Sequence, residues 1–266
     1  MKPSNEGRNM GDATSTIVQN LLILGGTTGA TALCARLAEL QIPGTISFAG
    51  RVQRPVRQPL PRRVGGFGGV DGLATYLRDH RITHMVDATH PFAAQMSRHA
   101  VAACAQAGVP LIALTRPAWM PAPGDQWTRV PDIAGAVAAL ARPPARVMLA
   151  VGRMHLAEFA PNPQHDYLLR LVDPPEVPPP FPRHHIIVDR GPFTIAGDRA
   201  LMQAHGIEMV VSKNAGGAGA VAKITAAREL GLPVIMIDRP ALPARTEVYD
   251  VEAVLEWLGD REAPQF

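Results

Sequence analysis

Cysteine, aromatic residues and long apolar runs are scarce in this sequence, and each scarcity excludes a class of protein. Cys34 and Cys104 are the two cysteines among 266 residues, and each lies in an Ala-rich stretch that predicts a helix. Two isolated cysteines favour buried free thiols over a disulfide framework or a metal site, so we expect a reducing cytoplasm. No apolar run approaches the ~20 residues that cross a bilayer, and no membrane association is predicted.

Signals for secretion and for nucleic-acid binding are also missing. The first sixteen residues are polar and contain no apolar core of a signal peptide, so residues 1–16 are predicted to be a disordered tail. The formal charge of +3 and the pI of about 9.2 mildly favour an anionic ligand. They fall short of the clustered Lys and Arg of a nucleic-acid binder.

Several catalytic signatures are absent. A short-chain dehydrogenase needs Tyr-x-x-x-Lys, but the residues four positions after the three tyrosines are His80, Leu171 and Ala253. There is no C-x-x-C, H-E-x-x-H or G-x-S-x-G pattern, so zinc enzymes, metalloproteases and serine hydrolases are not supported.

The residues that are present alternate between short apolar runs and segments with helical spacing. This pattern predicts an α/β fold with two Rossmann-like lobes, parallel sheets and a cleft between them. A weak break at Arg142-Pro143-Pro144 places the boundary between residues 17–142, the expected dinucleotide-binding lobe, and residues 143–266, a second α/β lobe.

The first turn, Gly25-Gly26-Thr27-Thr28-Gly29, follows the apolar run Leu21 to Leu24 and precedes a predicted helix. A strand that enters a helix in this way directs free backbone N–H groups and the helix dipole at one point, where a pyrophosphate fits. The spacing departs from G-x-G-x-x-G because Thr27 replaces the second glycine of the motif. A tight turn without a ligand remains the alternative.

The end of the second predicted strand favours NADPH over NADH. NAD-binding Rossmann proteins tend to have an acidic residue there. This chain has Arg51 and Arg54, and no carboxylate occurs between Glu39 and Asp71. Arginines suit a 2′-phosphate through charge-assisted hydrogen bonds, although a solvated basic loop would have the same sequence.

Further candidates follow other predicted strands. Thr89 and His90 are expected near the nicotinamide, although a structural histidine is the common alternative. In the second half, Arg153, Arg190, Lys213 and Asn214 follow strands and would suit a substrate with several carboxylates. Each cation could equally be an ordinary surface residue.

Six ordered blocks resemble the precorrin-6A reductases of cobalamin biosynthesis. They are Ile23-Leu24-Gly25-Gly26-Thr27-Thr28, Ala49-Gly50-Arg51, Gly65-Gly66-Phe67-Gly68-Gly69, Asp87-Ala88-Thr89-His90-Pro91-Phe92-Ala93, Arg190-Gly191-Pro192-Phe193 and Lys213-Asn214-Ala215-Gly216-Gly217. The resemblance covers Leu21 to Pro240. The chain departs from the family at Gly29, where an acidic residue is usual, and a glycine there only eases the approach of a phosphate.

This resemblance implies that NADPH gives a hydride to the precorrin-6A macrocycle, forming precorrin-6B, with the tetrapyrrole in the cleft. It implies that Gly66, Phe67, Gly191 and Gly217 join the cations in binding substrate, and that neighbouring pathway enzymes are partners. His90, Lys213 or water would supply the proton, and the substrate could be metal-free or carry cobalt. The alternatives are a reductase of another conjugated anion, a non-catalytic NADP-binding sensor and a methyltransferase of the same pathway.

Overall fold

The computed structural model describes residues 19–49, 57–189 and 191–259, and within these ranges the strands form two six-stranded parallel sheets. The first sheet and its helices form the first lobe. Its elements are β1 (Leu21–Leu24), α1 (Thr28–Glu39), β2 (Gly44–Phe48), β3 (Arg62–Val64), α2 (Gly69–Asp79), β4 (His84–Asp87), α3 (Ala94–Ala107), β5 (Leu111–Leu114), β12 (Thr246–Val248) and α7 (Val251–Gly259). The strand order β3-β2-β1-β4-β5-β12 is that of a Rossmann fold.

The second lobe repeats this plan. Its elements are β6 (Gln126–Val130), α4 (Ile133–Ala139), β7 (Arg146–Ala150), a 3₁₀ helix (Arg153–Phe159), β8 (Asp166–Leu171), β9 (His184–Val188), α5 (Ile195–Ala204), β10 (Met209–Lys213), α6 (Ala222–Glu229) and β11 (Pro233–Ile237). Its order is β9-β8-β7-β10-β11-β6. The predicted class of two Rossmann-like α/β lobes is therefore confirmed.

The second lobe is a continuous insertion between β5 and β12 of the first lobe. The strand β6 precedes the rest of the second lobe in the chain yet pairs with β11, and β12 follows the second lobe yet pairs with β5. The predicted boundary at residues 142 and 143 therefore does not separate the sheets, because it assigns β6 and α4 to the first lobe and β12 and α7 to the second. The chain crosses between the lobes at residues 115–125 and 238–245 instead.

The strands are apolar because both faces of each parallel sheet are covered by helices. In β1, Leu21 and Ile23 pack on the side of α1 and α7, whereas Leu22 and Leu24 pack on the side of α2 and α3. All four side chains are at most 2% exposed. The central strand thus fixes the turn that follows it between two cores.

The cysteines agree with the sequence-based expectation. Cys34 lies in α1 and Cys104 in α3, and both are buried free thiols. Burial raises the pKa of Cys34 to about 11 and that of Cys104 to about 12, so neither thiol is a nucleophile at neutral pH. Among the described residues, no helix has the length and apolarity to cross a bilayer.

Candidate active site between the two lobes

The residues that follow β4 in the first lobe meet those that end β10 in the second. Phe92 packs against the core of the second lobe, and the Nζ of Lys213 lies 5.2 Å from the centroid of its ring. Each sheet reverses its strand order beside these strands, between β1 and β4 and between β7 and β10. Ligands of doubly wound sheets bind outside the strand ends at such points, so both lobes present their binding positions to one junction.

The turn between β1 and α1 has the close packing and open space that a pyrophosphate requires. Gly25 lies so near β2 that a Cβ would be 2.8 Å from the Ile46 side chain. Gly26 has a φ of 129°, which residues with a side chain rarely adopt, and a Cβ on it would meet no atom within 4 Å. The space before the helix is therefore open to a ligand.

Thr27 is the N-cap of α1, and its hydroxyl is engaged in the fold. The Oγ1 accepts from the backbone N–H of Ala30 at 3.1 Å and donates to the carbonyl of Ala88 at 2.9 Å. Thr28–Gly29 begin the helix, whose first turn has no acidic residue. Their backbone N–H groups and the helix dipole suit an anion.

Three predicted arginines, Arg51, Arg54 and Arg190, lie outside the described residues. The strand β2 ends at Phe48, two residues before Gly50-Arg51 in the sequence, as the prediction of a 2′-phosphate contact requires. That contact stays a prediction.

A buried network that sequence patterns do not reveal holds the loop after β4. Asp87 Oδ1 accepts from the backbone N–H of Thr89 at 3.1 Å and from its hydroxyl at 2.7 Å. Its Oδ2 accepts from Ser97 Oγ at 2.6 Å and from Arg245 at 2.5 Å. The carboxylate thus fixes Thr89 and His90 relative to the chain that returns from the second lobe.

His90 is held as a neutral imidazole. The backbone N–H of Phe92 donates to its Nδ1 at 3.2 Å, which leaves the ring hydrogen on Nε2. Burial, followed by the nearby charges of Arg116 and other cations, lowers its pKa to about 3. At neutral pH the side chain can donate a hydrogen bond through Nε2, but it is not an imidazolium acid.

The cations that act on His90 come from both lobes and extend the predicted set. They are Arg116 after β5, Lys213 at the end of β10, Arg239 after β11 and Lys223 on α6. Of these four cations, only Lys213 was predicted from the sequence. Burial lowers the pKa of Lys223 to about 7, with Arg170 lowering it further and Asp198 opposing the shift. The junction therefore concentrates positive charge beside the carboxyl ends of both sheets.

Asn214 and Gly217, predicted to contact substrate, form hydrogen bonds to the first crossover, and their contact with substrate stays a prediction. The Asn214 amide accepts from the backbone N–H of Trp119 at 2.8 Å and donates to its carbonyl at 2.9 Å. The carbonyl of Gly217 accepts from Trp119 Nε1 at 2.7 Å. These groups already have partners, because the crossover packs across the loop after β10.

Gly66 and Phe67 follow β3, and Gly191 follows β9, which are the outer strands of the two sheets. The guanidinium carbon of Arg63 lies 3.7 Å from the centroid of the Phe67 ring, and Arg63 also donates to the Gly66 carbonyl at 2.6 Å. In the sheet order, β3 is separated from β4 by β2 and β1, and β9 is separated from β10 by β8 and β7. At about 4.8 Å per strand, each group is about 14 Å from the central position of its own sheet.

Arg153 follows β7 and begins the 3₁₀ helix, as expected for a residue at the switch point of the second sheet. Its Nη1 lies 3.8 Å from Glu176 Oε1 in the proline-rich connection. The side chain is 30% exposed, so a ligand can reach it. Arg153 therefore stays among the candidate substrate contacts.

The chain is similar in sequence to several named reductases. The chain is 58% identical over 243 residues to a precorrin-6A reductase of Rhodobacter capsulatus, covering 91% of this chain and 97% of that protein. It is 40% identical to a precorrin-6A reductase of Mycobacterium tuberculosis over 90% of this chain and 97% of the relative. A cobalt-precorrin-6A reductase of Priestia megaterium is 30% identical, with the same coverage.

A solved structure titled CobK precorrin-6A reductase superposes with a TM-score of 0.88 at 57% identity, covering 92% of this chain and 98% of that one. The sequence model of the family described as precorrin-6x reductase CbiJ/CobK matches residues 20–259. The chain therefore belongs to the precorrin-6x reductase CbiJ/CobK family.

Proposed function

We propose that this chain reduces the precorrin-6A macrocycle to precorrin-6B in cobalamin biosynthesis, with NADPH as reductant. The observation that carries the proposal is the meeting of two different binding positions at one junction. The first lobe contributes an open glycine turn at a helix N-terminus, and the second contributes Lys213 and neighbouring cations. A dinucleotide and a multiply anionic substrate fit these positions, and relatives that share 40% to 58% identity carry the matching name.

The metal-free ring is the proposed substrate. The relatives named precorrin-6A reductase share 40% to 58% identity with the chain, whereas those named for cobalt-precorrin-6A share 28% to 30%. This gradient favours the metal-free form.

The cofactor follows the usual path across a Rossmann sheet. The backbone from Gly26 to Gly29 would hold the pyrophosphate, and Arg51 with Arg54 would hold the 2′-phosphate that selects NADPH. Because the β1-β2-β3 side of a Rossmann sheet binds the adenosine half of a dinucleotide, Gly66 and Phe67 would contact this half rather than the substrate. Thr89 would contact the nicotinamide half, from which NADPH would supply a hydride.

Proton delivery is assigned to Lys213, and an orienting role to His90. Reduction of a conjugated double bond needs one proton besides the hydride. The neutral His90 ring is a poor acid, but its Nε2–H can donate a hydrogen bond that orients the ligand. Lys213 lies on the opposite lobe, across the junction from this ring, where its ammonium can reach the macrocycle. Arg153, Arg190 and Gly191 complete the substrate side.

The decisive assay is anaerobic absorbance spectroscopy with NADPH and enzymatically prepared precorrin-6A. Consumption of NADPH together with a shift of the macrocycle spectrum supports the proposal. A parallel sample with NADH tests the assignment of NADPH as the reductant. A parallel sample with the cobalt-loaded ring tests the assignment of the metal-free substrate. Tight NADPH binding without a change in either ring contradicts the substrate assignment and favours the sensor.

The proposal includes a cytoplasmic location and neighbouring enzymes of the same pathway. Buried free thiols at Cys34 and Cys104 are typical of a reducing compartment, which supports a cytoplasmic location. Enzymes that make precorrin-6A and consume precorrin-6B are the expected neighbours of the chain.

A further inference from the structure

Arg116 and Arg239 occupy corresponding positions in the two lobes. Arg116 follows β5 and Arg239 follows β11, the strands that hold the same place in their sheets, and each arginine lies two residues after its strand. Each precedes a proline, Pro117 or Pro240, and each stands at the start of a crossover into the other lobe. The repeated topology therefore places one arginine from each crossover at the junction.

The two arginines differ in what they bind. Arg239 donates from Nε to the carbonyl of Asn214 at 3.0 Å and from Nη2 to the carbonyl of Ala215 at 3.1 Å. A Cβ on Gly216 would lie 2.1 Å from that Nη2, so the glycine is what lets the guanidinium lie across the loop. Arg239 is thus engaged in holding the backbone after β10.

Arg116 lies across the next residue of the same loop, but its guanidinium has an unused donor. A Cβ on Gly217 would be 2.7 Å from Arg116 Cδ. Nη2 is inaccessible to solvent and has no hydrogen-bond partner among the described residues. Burial lowers the pKa of this side chain, and the same junction holds Lys213 and Arg239. Because a buried N–H without an acceptor costs free energy, this group is suited to an anionic ligand.

The position of Arg116 indicates which ligand supplies the anion. Arg116 follows β5, which is separated from β1 by β4, so it lies about 10 Å along the sheet from the pyrophosphate-binding turn. That half of a Rossmann site holds the nicotinamide, which has no anionic group. The anion at Arg116 must therefore belong to the second ligand.

We propose that Arg116 binds a carboxylate of the tetrapyrrole and so sets how the ring lies at the junction. This inference rests on the proposed function and adds a specificity-determining residue to it. The planar guanidinium binds a carboxylate with two parallel hydrogen bonds, which a lysine cannot reproduce.

The test compares Arg116→Met, Arg116→Lys and the control Arg199→Met, which removes an exposed arginine paired with Glu229 at 3.1 Å. Steady-state kinetics with precorrin-6A and fluorescence titration with NADPH are measured for each folded variant. Arg116→Met should raise the KM for precorrin-6A by about 10- to 100-fold, because the variant loses the charge-assisted interaction with the carboxylate. The KM of Arg116→Lys for precorrin-6A should lie between those of Arg116→Met and wild type. The Kd of each variant for NADPH should differ from that of wild type by less than about twofold.

A second measurement does not depend on turnover. Binding of uroporphyrin, a stable polycarboxylate tetrapyrrole, is compared with binding of its methyl ester in the presence of NADP⁺. Wild type should bind uroporphyrin more tightly than its methyl ester. In Arg116→Met, the ratio of the two dissociation constants should be closer to one. An unchanged KM in folded Arg116→Met, or a loss confined to NADPH binding, overturns the inference. If wild type reduces no precorrin-6A, the proposed function fails, and the porphyrin titration alone then decides the role of Arg116.

Discussion

The guanidinium of Arg245 lies 2.5 Å from the carboxylate of Asp87, although 158 positions separate the two residues in the sequence. Both side chains are buried, with exposures of 7% and 1%. The pair joins the end of the second crossover to the strand that leads into Thr89 and His90. The order of the site thus depends on the return of the chain from the second lobe to the first.

Removing one member of this pair should destabilise the protein strongly. Arg245→Met leaves a buried carboxylate without its cation, and we expect a loss of about 3–5 kcal/mol in the free energy of unfolding measured with urea. Arg199→Met, at an exposed pair, should cost less than about 1 kcal/mol. In the double variant Asp87→Asn/Arg245→Met, the loss in the free energy of unfolding should be smaller than the sum of the losses in the two single variants. If Arg245→Met and Arg199→Met lose the same stability, the buried Asp87–Arg245 pair does not have the stabilising role assigned to it.

His90 should make the protein sensitive to acid. Because its pKa is lowered to about 3 in the folded state from an ordinary value of 6.5, the unfolded chain binds this proton first as the pH falls. The stabilisation is complete above about pH 6.5 and is lost progressively towards the folded pKa. Between about pH 7 and about pH 5, wild type should lose on the order of 2 kcal/mol more than His90→Asn. An NMR titration that places the His90 pKa near its ordinary value would refute this account.

Gly216 and Gly219 form a matched pair in the loop after β10. A Cβ on Gly216 would lie 2.1 Å from Arg239 Nη2 and 2.3 Å from the Pro117 carbonyl, at a φ of 70°. A Cβ on Gly219 would meet nothing within 4 Å. Gly216→Ala should therefore cost about 2–4 kcal/mol of stability and reduce kcat, whereas Gly219→Ala should change stability by less than about 0.5 kcal/mol. Thermal unfolding measures the stability of each variant, and the NADPH assay measures its kcat. If the two variants have similar stability and kcat, the loop tolerates displacement and the prediction is wrong.

Much of the first lobe could be predicted because its signals are local. The apolar run Leu21 to Leu24, the glycine turn and the following helix are contiguous, so their order in the sequence is their order in space. The pairing of β6 could not be predicted, because it pairs with β11 more than 100 residues later and neither strand carries a mark of its partner. The three-residue strand β3 was hidden for another reason, because two of its residues are arginines and no apolar run marks it.

Positions along a strand could be predicted, whereas contacts with distant partners could not. His90 follows β4 and Lys213 ends β10, close to where the sequence places them, and their roles in the site stay predictions. The hydrogen bonds between the Asn214 amide and Trp119 could not be predicted, because Trp119 lies 95 residues earlier in the sequence. Arg116 and Arg239 escaped notice, although both form an Arg-Pro pair directly after an apolar strand, a repeat that could have identified them.

The central claim is hydride transfer from NADPH to the macrocycle, and isotope transfer tests it most directly. The chain is incubated anaerobically with precorrin-6A and NADPH that carries deuterium at both C4 positions, and the reduced ring is examined by mass spectrometry. The account predicts one non-exchangeable deuterium in each product molecule, from NADPH and not from deuterated water. A reduced ring without that deuterium, or no reduction at all, would contradict it.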